Sequence, residues 1–260
     1  MKKYGVLKEN IFKNEHQSCA EEIYYKGYSI YNPNFNEKKK QEIDLKFEEL
    51  YVDYKKKFKK KLKKSNEYFT IRSPLLYNKI FFDLAFEKGL NKIITYLLSG
   101  NYYLNQQNGV INPSKRAYNQ DMWHRDLPYT HFTTSRPIAI NALYCIDDFT
   151  NVNGPTMVLP GTHLKENFPS EKYCKKNEIK ILAKRGEFIL LDCLIYHKGS
   201  RNNSKNPRRA INHVFSHPII KQQIYLKNFE YKLSKSSKIK KFLGNNYRTF
   251  ESPLDYINSR

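Results

Sequence analysis

The sequence predicts a mainly β domain with flanking helices, its core a barrel or a double-sheet jelly roll. Two observations carry this. From residue 101 onward, short segments rich in β-branched and aromatic residues alternate with turn signals, and before it the chain shows long helical periodicity. The βαβ rhythm of a nucleotide-binding fold is missing, as are a Gly-rich phosphate loop and any internal repeat. At 260 residues, with 40% hydrophobic and 15% aromatic side chains, the chain can bury a sizeable core as one domain of the larger kind.

Residues 22–32 read as a short strand after a small N-terminal helix. Residues 37–64 read as a helix, because Phe47, Tyr51, Tyr54, Phe58 and Leu62 recur at spacings of three and four and form one apolar stripe. The run KKKFKKKLKK at 55–64 follows from that stripe: Phe58 and Leu62 face the core and the lysines face water. A second helical region, 75–98, stops at Ser99-Gly100. Strands are expected at 102–107, around 123–126, and at 138–146, 156–160, 179–183, 187–192 and 209–215. Asn153-Gly154-Pro155, Pro160-Gly161 and Arg185-Gly186 punctuate them. The domain then comprises a helical region at about 1–100, a β core at about 101–220, and a Lys- and Ser-rich terminal helix or peripheral tail at about 221–260.

The 46 basic residues outnumber the 25 acidic ones, for a net charge of +21. Such a charge attracts anions generally. The lysines, however, are spread along the chain and seldom cluster with aromatic platforms, so a nucleic-acid partner is not expected. Cys19, Cys145, Cys174 and Cys193 form no CxxC pair and suggest neither a disulfide frame nor a zinc site; they read as core residues in a reduced, cytoplasmic setting. The opening MKKYGVLKENIF has no apolar core and does not read as a secretory leader. The apolar stretch at 93–98 is too short to span a bilayer.

The chemistry concentrates in DMWHRD, residues 121–126, which holds the only tryptophan. On a strand, His124 and Asp126 point to one face and make two candidate metal ligands. Taken alone, the pair is also what a surface His–Asp contact looks like. His197 sits just past the apolar strand EFILLD and supplies a candidate third ligand. Two histidines and one carboxylate leave coordination positions open, the arrangement associated with non-haem Fe(II) oxygenases. Eleven residues beyond His197 comes Arg208, followed by Arg209; an arginine fork can hold a carboxylate in bidentate fashion. Strand alternation puts Arg208, Ala210 and Asn212 on one face and Arg209, Ile211 and His213 on the other.

The pieces WHRD (123–126), NGPTMVLPGTH (153–163), RGEFILLD (185–192) and HKGSRNNSKNPRRAINHVF (197–215) resemble the phytanoyl-CoA dioxygenase family of Fe(II)/2-oxoglutarate oxygenases. The likeness is strongest over 100–217 and extends more loosely to 26–43. The resemblance implies a double-stranded β-helix, a form of jelly roll. It implies His124, Asp126 and His197 as iron ligands, and Arg208 as partner of the distal carboxylate of 2-oxoglutarate. It places Gln106, Asn108, Asn141 and Ser200 in the cosubstrate pocket, and puts Asn112 where the family often has a basic residue. Tyr118 and Tyr129 flank the metal motif as candidate substrate-pocket residues.

The implied activity is hydroxylation of an unactivated C–H bond of a small molecule, with O2 and 2-oxoglutarate consumed; the carboxylate at Asp126 argues against halide chemistry. The basic surface mildly favours an anionic or carrier-linked substrate. Two other readings stay open: a binding protein that keeps the fold without turnover, and oxidative repair of nucleic acid. Trp123 and His163 read as structural, and oligomeric state is not legible.

Overall fold

Each N-terminal element starts and stops where its side chains dictate. Our computed structural model describes residues 3–6, 13–116, 120–127, 132–234, 236–247 and 249–258. Helix α1 (Glu15–Lys26) begins where the Asn14 side chain accepts from the Gln17 N–H, and ends at Gly27 in the left-handed conformation. Strand β1 (Tyr28–Tyr31) follows. Helix α2 (Glu37–Lys64) is capped by Asn36 and buries Ile43, Phe47, Tyr54 and Leu62, with Tyr51 and Phe58 half-buried on the same stripe. The predicted helical region 75–98 is broken in two. After β2 (Thr70–Arg72) and a single turn, α3 (Lys79–Ala85) ends. Glu87 then restarts the chain as α4 (Lys88–Leu97) by accepting from the Gly89 and Leu90 N–H groups.

The β region follows as β3 (Tyr103–Asn112), β4 (Ala139–Cys145) and β5 (Thr156–Val158). Helix α5 (Glu171–Asn177) precedes β6 (Ile179–Ile181), β7 (Phe188–Asp192), β8 (His197–Lys198) and β9 (Arg208–Ser216). Two antiparallel sheets result, one of order β1-β7-β4-β9-β3-β2 and one of order β6-β5-β8. A bridge between His124 and His197 adds the DMWHRD segment beside β8. Distant strands thus become neighbours, as a jelly roll requires. Strand β3 runs five residues beyond its predicted end because it pairs with β9 along its length, to Asn112 opposite Arg208.

The larger sheet has two different faces. Ile211, His213 and Phe215 of β9 point to the helices, where Phe47, Phe81, Leu90 and Phe215 are fully buried in one core. Each such side chain contributes about 1.5–3 kcal/mol relative to exposure. The opposite face looks at the smaller sheet. There Cys145, Phe149, Val158, Ile189, Ile195 and Ala210 fill the far half of the roll. All four cysteines are buried and free.

The C-terminal stretch is not peripheral. Helix α6 (Ser237–Phe242) inserts Phe242 against Phe82 and Phe86, at ring separations of 5.9 and 4.8 Å, and Leu226 and Leu243 are buried with it. Three apolar anchors scattered among lysines give no periodic signal, so composition alone made the segment look like a tail. A last helix, α7 (Pro253–Asn258), buries nothing. Among the described residues no helix is long and apolar enough to cross a membrane.

Candidate metal centre

Backbone pairing brings the two histidines together. The His124 N–H donates to the His197 carbonyl at 2.9 Å, and the His197 N–H donates back at 3.0 Å. Two residues on, the Asp126 N–H donates to the Cys193 carbonyl at 3.1 Å, which holds the segment extended and turns Asp126 to the side of His124. One ligand atom from each of His124, Asp126 and His197 lies within 4.8 Å of the others, and His197 Nε2 stands 3.6 Å from Asp126 Oδ1.

The outer contacts fix which atoms are offered. His124 Nδ1 lies 2.8 Å from the Met122 carbonyl, and His197 Nδ1 lies 3.1 Å from the Ile195 carbonyl. A carbonyl only accepts, so each Nδ1 carries the proton and each Nε2 presents a lone pair. The Asn141 amide donates to Asp126 Oδ2 at 2.6 Å, leaving Oδ1 toward His197.

Electrostatics suit a cation. Burial, and then the neighbouring His197 ring, push His124 below its ordinary pKa. Burial alone would raise Asp126, but the adjacent His197 outweighs it and holds the carboxyl below its usual range. Burial opposes charge on His197 as well, and the Asp126 carboxylate overcomes it, so that pKa is raised. A buried anion flanked by two imidazoles thus draws positive charge to this point, which a divalent ion would supply. Cys193 offers no thiolate in competition, because burial drives its thiol far up. The donor set of two imidazoles and one carboxylate fits ferrous iron.

The cavity beside the triad is walled by β3, β4, β7 and β9 on one side and β5 and β8 on the other. Its polar lining is Arg208, Asn141, Asn212, Gln120, Thr156 and Lys198; Val110, Leu143 and Leu191 supply the apolar part. Arg208 is 4% exposed, with its guanidinium carbon 4.0 Å from the centre of the Phe149 ring. Its neighbour Arg209 points to the helices and binds Asp147, Asp44 and Glu48 at 2.6, 2.6 and 2.7 Å. The side-chain oxygens of Asn141 and Asn212 are buried and accept no hydrogen bond from any described residue. Such atoms are costly in a native wall and are expected where a polar ligand binds.

Of the five residues assigned to the cosubstrate by resemblance, Arg208 and Asn141 stand in this wall and Gln106, Asn108 and Ser200 do not. Asn108 donates to Gln106 at 3.1 Å, farther along the same face of β3. The Ser200 hydroxyl donates to the Pro155 carbonyl at 2.6 Å. Asn112 ties the end of β3 to the Ser200 carbonyl at 2.9 Å and, more loosely, to that of Gly154, a bracing position rather than a charged one. Tyr118 and Tyr129 lie outside the described residues. Gln120, Thr156, Lys198 and Asn212 were not singled out in the sequence. Only Asn212 had a signal there, its alternation with Arg208. Trp123 packs on Phe168 at 6.3 Å with the Lys198 ammonium 4.4 Å from its ring, and the His163 ring bonds the Tyr24 carbonyl at 3.1 Å.

With this geometry in place, comparisons with known proteins are specific. The profile of the phytanoyl-CoA dioxygenase (PhyH) family matches residues 21–210. An uncharacterized protein of Mycobacterium bovis and one of Mycobacterium tuberculosis are each 30% identical over 171 residues, 64% of this chain and 62% of theirs. This chain therefore spans less than two thirds of the length of those relatives. Among solved structures, EctD from S. alaskensis with 2-oxoglutarate and 5-hydroxyectoine superposes with a TM-score of 0.67 at 21% identity, covering 80% of this chain and 77% of that one. The same enzyme with bound Fe gives 0.64 at 20% identity, covering 85% and 82%. The non-heme alpha-ketoglutarate-dependent epimerase SnoN from nogalamycin biosynthesis gives 0.60 at 15% identity, covering 78% and 81%. At these identities the likeness establishes a shared fold.

Proposed function

The chain belongs to the phytanoyl-CoA dioxygenase family, and on that premise we propose that it is an Fe(II)- and 2-oxoglutarate-dependent dioxygenase that hydroxylates an unactivated C–H bond of a small molecule. The observation that carries the reading is the convergence of three ligand atoms within 4.8 Å at the edge of a cavity whose wall contains a buried arginine. His124, Asp126 and His197 would hold the iron through His124 Nε2, His197 Nε2 and Asp126 Oδ1. Ferrous iron, when bound, supplies the electron transfer that makes dioxygen reactive. The net reaction converts substrate, O2 and 2-oxoglutarate to hydroxylated substrate, succinate and CO2.

The chain's own residues orient and enclose. Arg208, fixed over the Phe149 ring, would take the distal carboxylate of the keto-diacid in a two-point clamp. Asn141 holds Asp126 in one rotamer, and the Nδ1 contacts hold both imidazoles in the tautomer that presents Nε2. Leu143, Leu191 and Val110 keep that part of the cavity apolar, which limits water at the reacting centre. The net charge of +21 favours an anionic or carrier-linked substrate.

The test is succinate release by the purified chain supplied with Fe(II), O2 and 2-oxoglutarate, with His124→Ala as control. Release that the substitution abolishes supports the assignment. Stoichiometric iron binding with no release, with any substrate or uncoupled, would identify a binding protein instead. Mass spectrometry of lysate metabolites separates outcomes within the fold: a gain of about 16 mass units marks hydroxylation, and an unchanged mass marks rearrangement of the kind SnoN is named for. A gel shift that appears at low salt and fades as salt rises would shift the reading to nucleic acid.

A further inference from the structure

A larger cavity than the one at the metal centre lies on another face of the molecule. It is a groove of about 700 Å³ between α4, α6 and the start of β3. That volume lies within the range of small-molecule sites, roughly 300–1,000 Å³. Its floor is aromatic: Phe242 and Phe86 pack ring to ring at 4.8 Å, and Tyr102 contacts Phe215 of β9 at 6.1 Å. Its rim is cationic, with Lys88 and Lys92 from α4 facing Lys238 and Lys241 from α6. Four of the eleven lining residues are lysine and none is acidic, whereas chain-wide basic residues outnumber acidic ones by less than two to one, 46 against 25.

Two details show that the rim is turned toward the groove. The Lys238 ammonium lies 5.3 Å from the centre of the Phe86 ring, and Lys241 reaches the Gly100 carbonyl at 3.1 Å. Among the described residues, none of these four lysines forms an ion pair with a carboxylate of the chain. The polar groups between rim and floor are already occupied: Tyr102 donates to the Asn91 side chain at 2.8 Å and Thr95 to the Asn91 carbonyl at 2.6 Å. What the groove leaves to a ligand is therefore apolar surface below and positive charge above.

The geometry points to a second binding site here, for a monomeric amphipathic anion with an aliphatic or aromatic body and a carboxylate or phosphate head. A recessed floor favours a free molecule over a bilayer, since Phe242 is only 4% exposed. The site is separate from the metal centre. Phe215, under the groove, projects from the helix-facing side of β9, and Arg208 and Asn212 project into the metal cavity from the other side. The ligand taken here is thus not the molecule that meets the metal.

Isothermal titration of the full chain with dodecanoate, below its micelle-forming concentration, tests this. The expected result is one saturable site that binds dodecanoate at least tenfold more tightly than dodecyl maltoside and weakens with added salt. Replacing Lys92 and Lys241 together (Lys92→Glu, Lys241→Glu) should lower the affinity at least tenfold. Thr95→Trp, which fills the exposed mouth and keeps every lysine, should abolish binding even if the charge-reversed protein does not fold. Equal affinity for the neutral amphiphile, many weak sites, or undiminished binding by Thr95→Trp would each overturn the proposal. So would binding to phosphatidylglycerol vesicles without binding to monomeric dodecanoate, which would make this face a membrane-docking surface.

Discussion

Acid should unfold this protein through one histidine remote from the metal. His213 is fully buried on the helix-facing side of β9, between the rings of Phe188 and Phe215 at 5.9 and 6.4 Å. Its Nδ1 donates to the Ala142 carbonyl at 2.9 Å, and no carboxylate is among the groups that shift it. Burial pushes its pKa down to about 4 from 6.5. The unfolded chain takes a proton at this ring below about 6.5, whereas the folded chain resists until about 4. The stability contributed by the neutral ring is therefore complete above pH 6.5 and is lost as pH falls toward 4. At about 1.4 kcal/mol per pH unit, the loss reaches about 3 kcal/mol by pH 4. Urea unfolding followed by circular dichroism at pH 7.5, 5.5 and 4.5 measures it, with His213→Asn as a non-titrating partner that can keep the hydrogen bond to Ala142. The parent should lose about 2–3 kcal/mol more than the variant over that interval. Parallel pH profiles for the two proteins would refute the reasoning.

Four further outcomes are expected. Burial raises Asp192 to about 7, so its carboxyl stabilises the fold below its unfolded value and that contribution is lost as pH rises through 7. Asp192→Asn keeps the contact to the Leu194 N–H and should be more stable than the parent by up to about 4 kcal/mol at pH 8, measured by urea unfolding. Arg208→Lys retains charge but not the planar fork, and should raise KM for 2-oxoglutarate about 10- to 100-fold in the succinate assay; an unchanged KM would move the carboxylate elsewhere. Asn141→Leu removes the amide that holds Asp126 and should weaken Co(II) binding about 10- to 100-fold by titration. Phe242→Ala should cost about 3–5 kcal/mol of unfolding free energy; a loss under about 0.5 kcal/mol would mean that the C-terminal stretch is peripheral after all.

Elements with their own periodicity were the legible ones. Helix α2 was expected at 37–64 and spans Glu37–Lys64, because its stripe from Phe47 to Leu62 repeats through about four turns and nothing tertiary is needed to see it. Strands β4, β7 and β9 were legible as apolar runs between turn residues. By contrast β8 is two residues long, and it is ordered as a strand by its neighbours, β5 on one side and the bridge to His124 on the other. The split between α3 and α4 turned on Glu87, a capping carboxylate inside an otherwise continuous apolar pattern. At the site, His124, Asp126 and His197 stood out because ligand chemistry restricts residue type and spacing. Thr156 and Gln120 carry no such restriction, and they reach the cavity through sheet packing that a linear pattern does not encode. Gln106 and Asn108 show the converse: they lie on the expected strand and on the face of Val110, but Asn108 donates to Gln106, and Val110 supplies the part of the wall that β3 contributes.

The alternation along β9 has a consequence for how the chain tolerates insertions. Since Arg208 and Arg209 are adjacent and alike, a one-residue slip of this strand would still turn one guanidinium inward and the other outward, with only one of them at a position an arginine now holds, the inward one or the one facing Asp147, Asp44 and Glu48. The arginines thus act as a parity-blind pair and cannot by themselves police alignment. That duty falls to Phe215, Ile211 and Asn212: misphasing would turn two oily side chains into the polar chamber and strand an amide in hydrocarbon. Changes in the length of the 199–207 connection should therefore be punished through these three positions, and variants that alter them together are where a shifted but ordered strand could be sought.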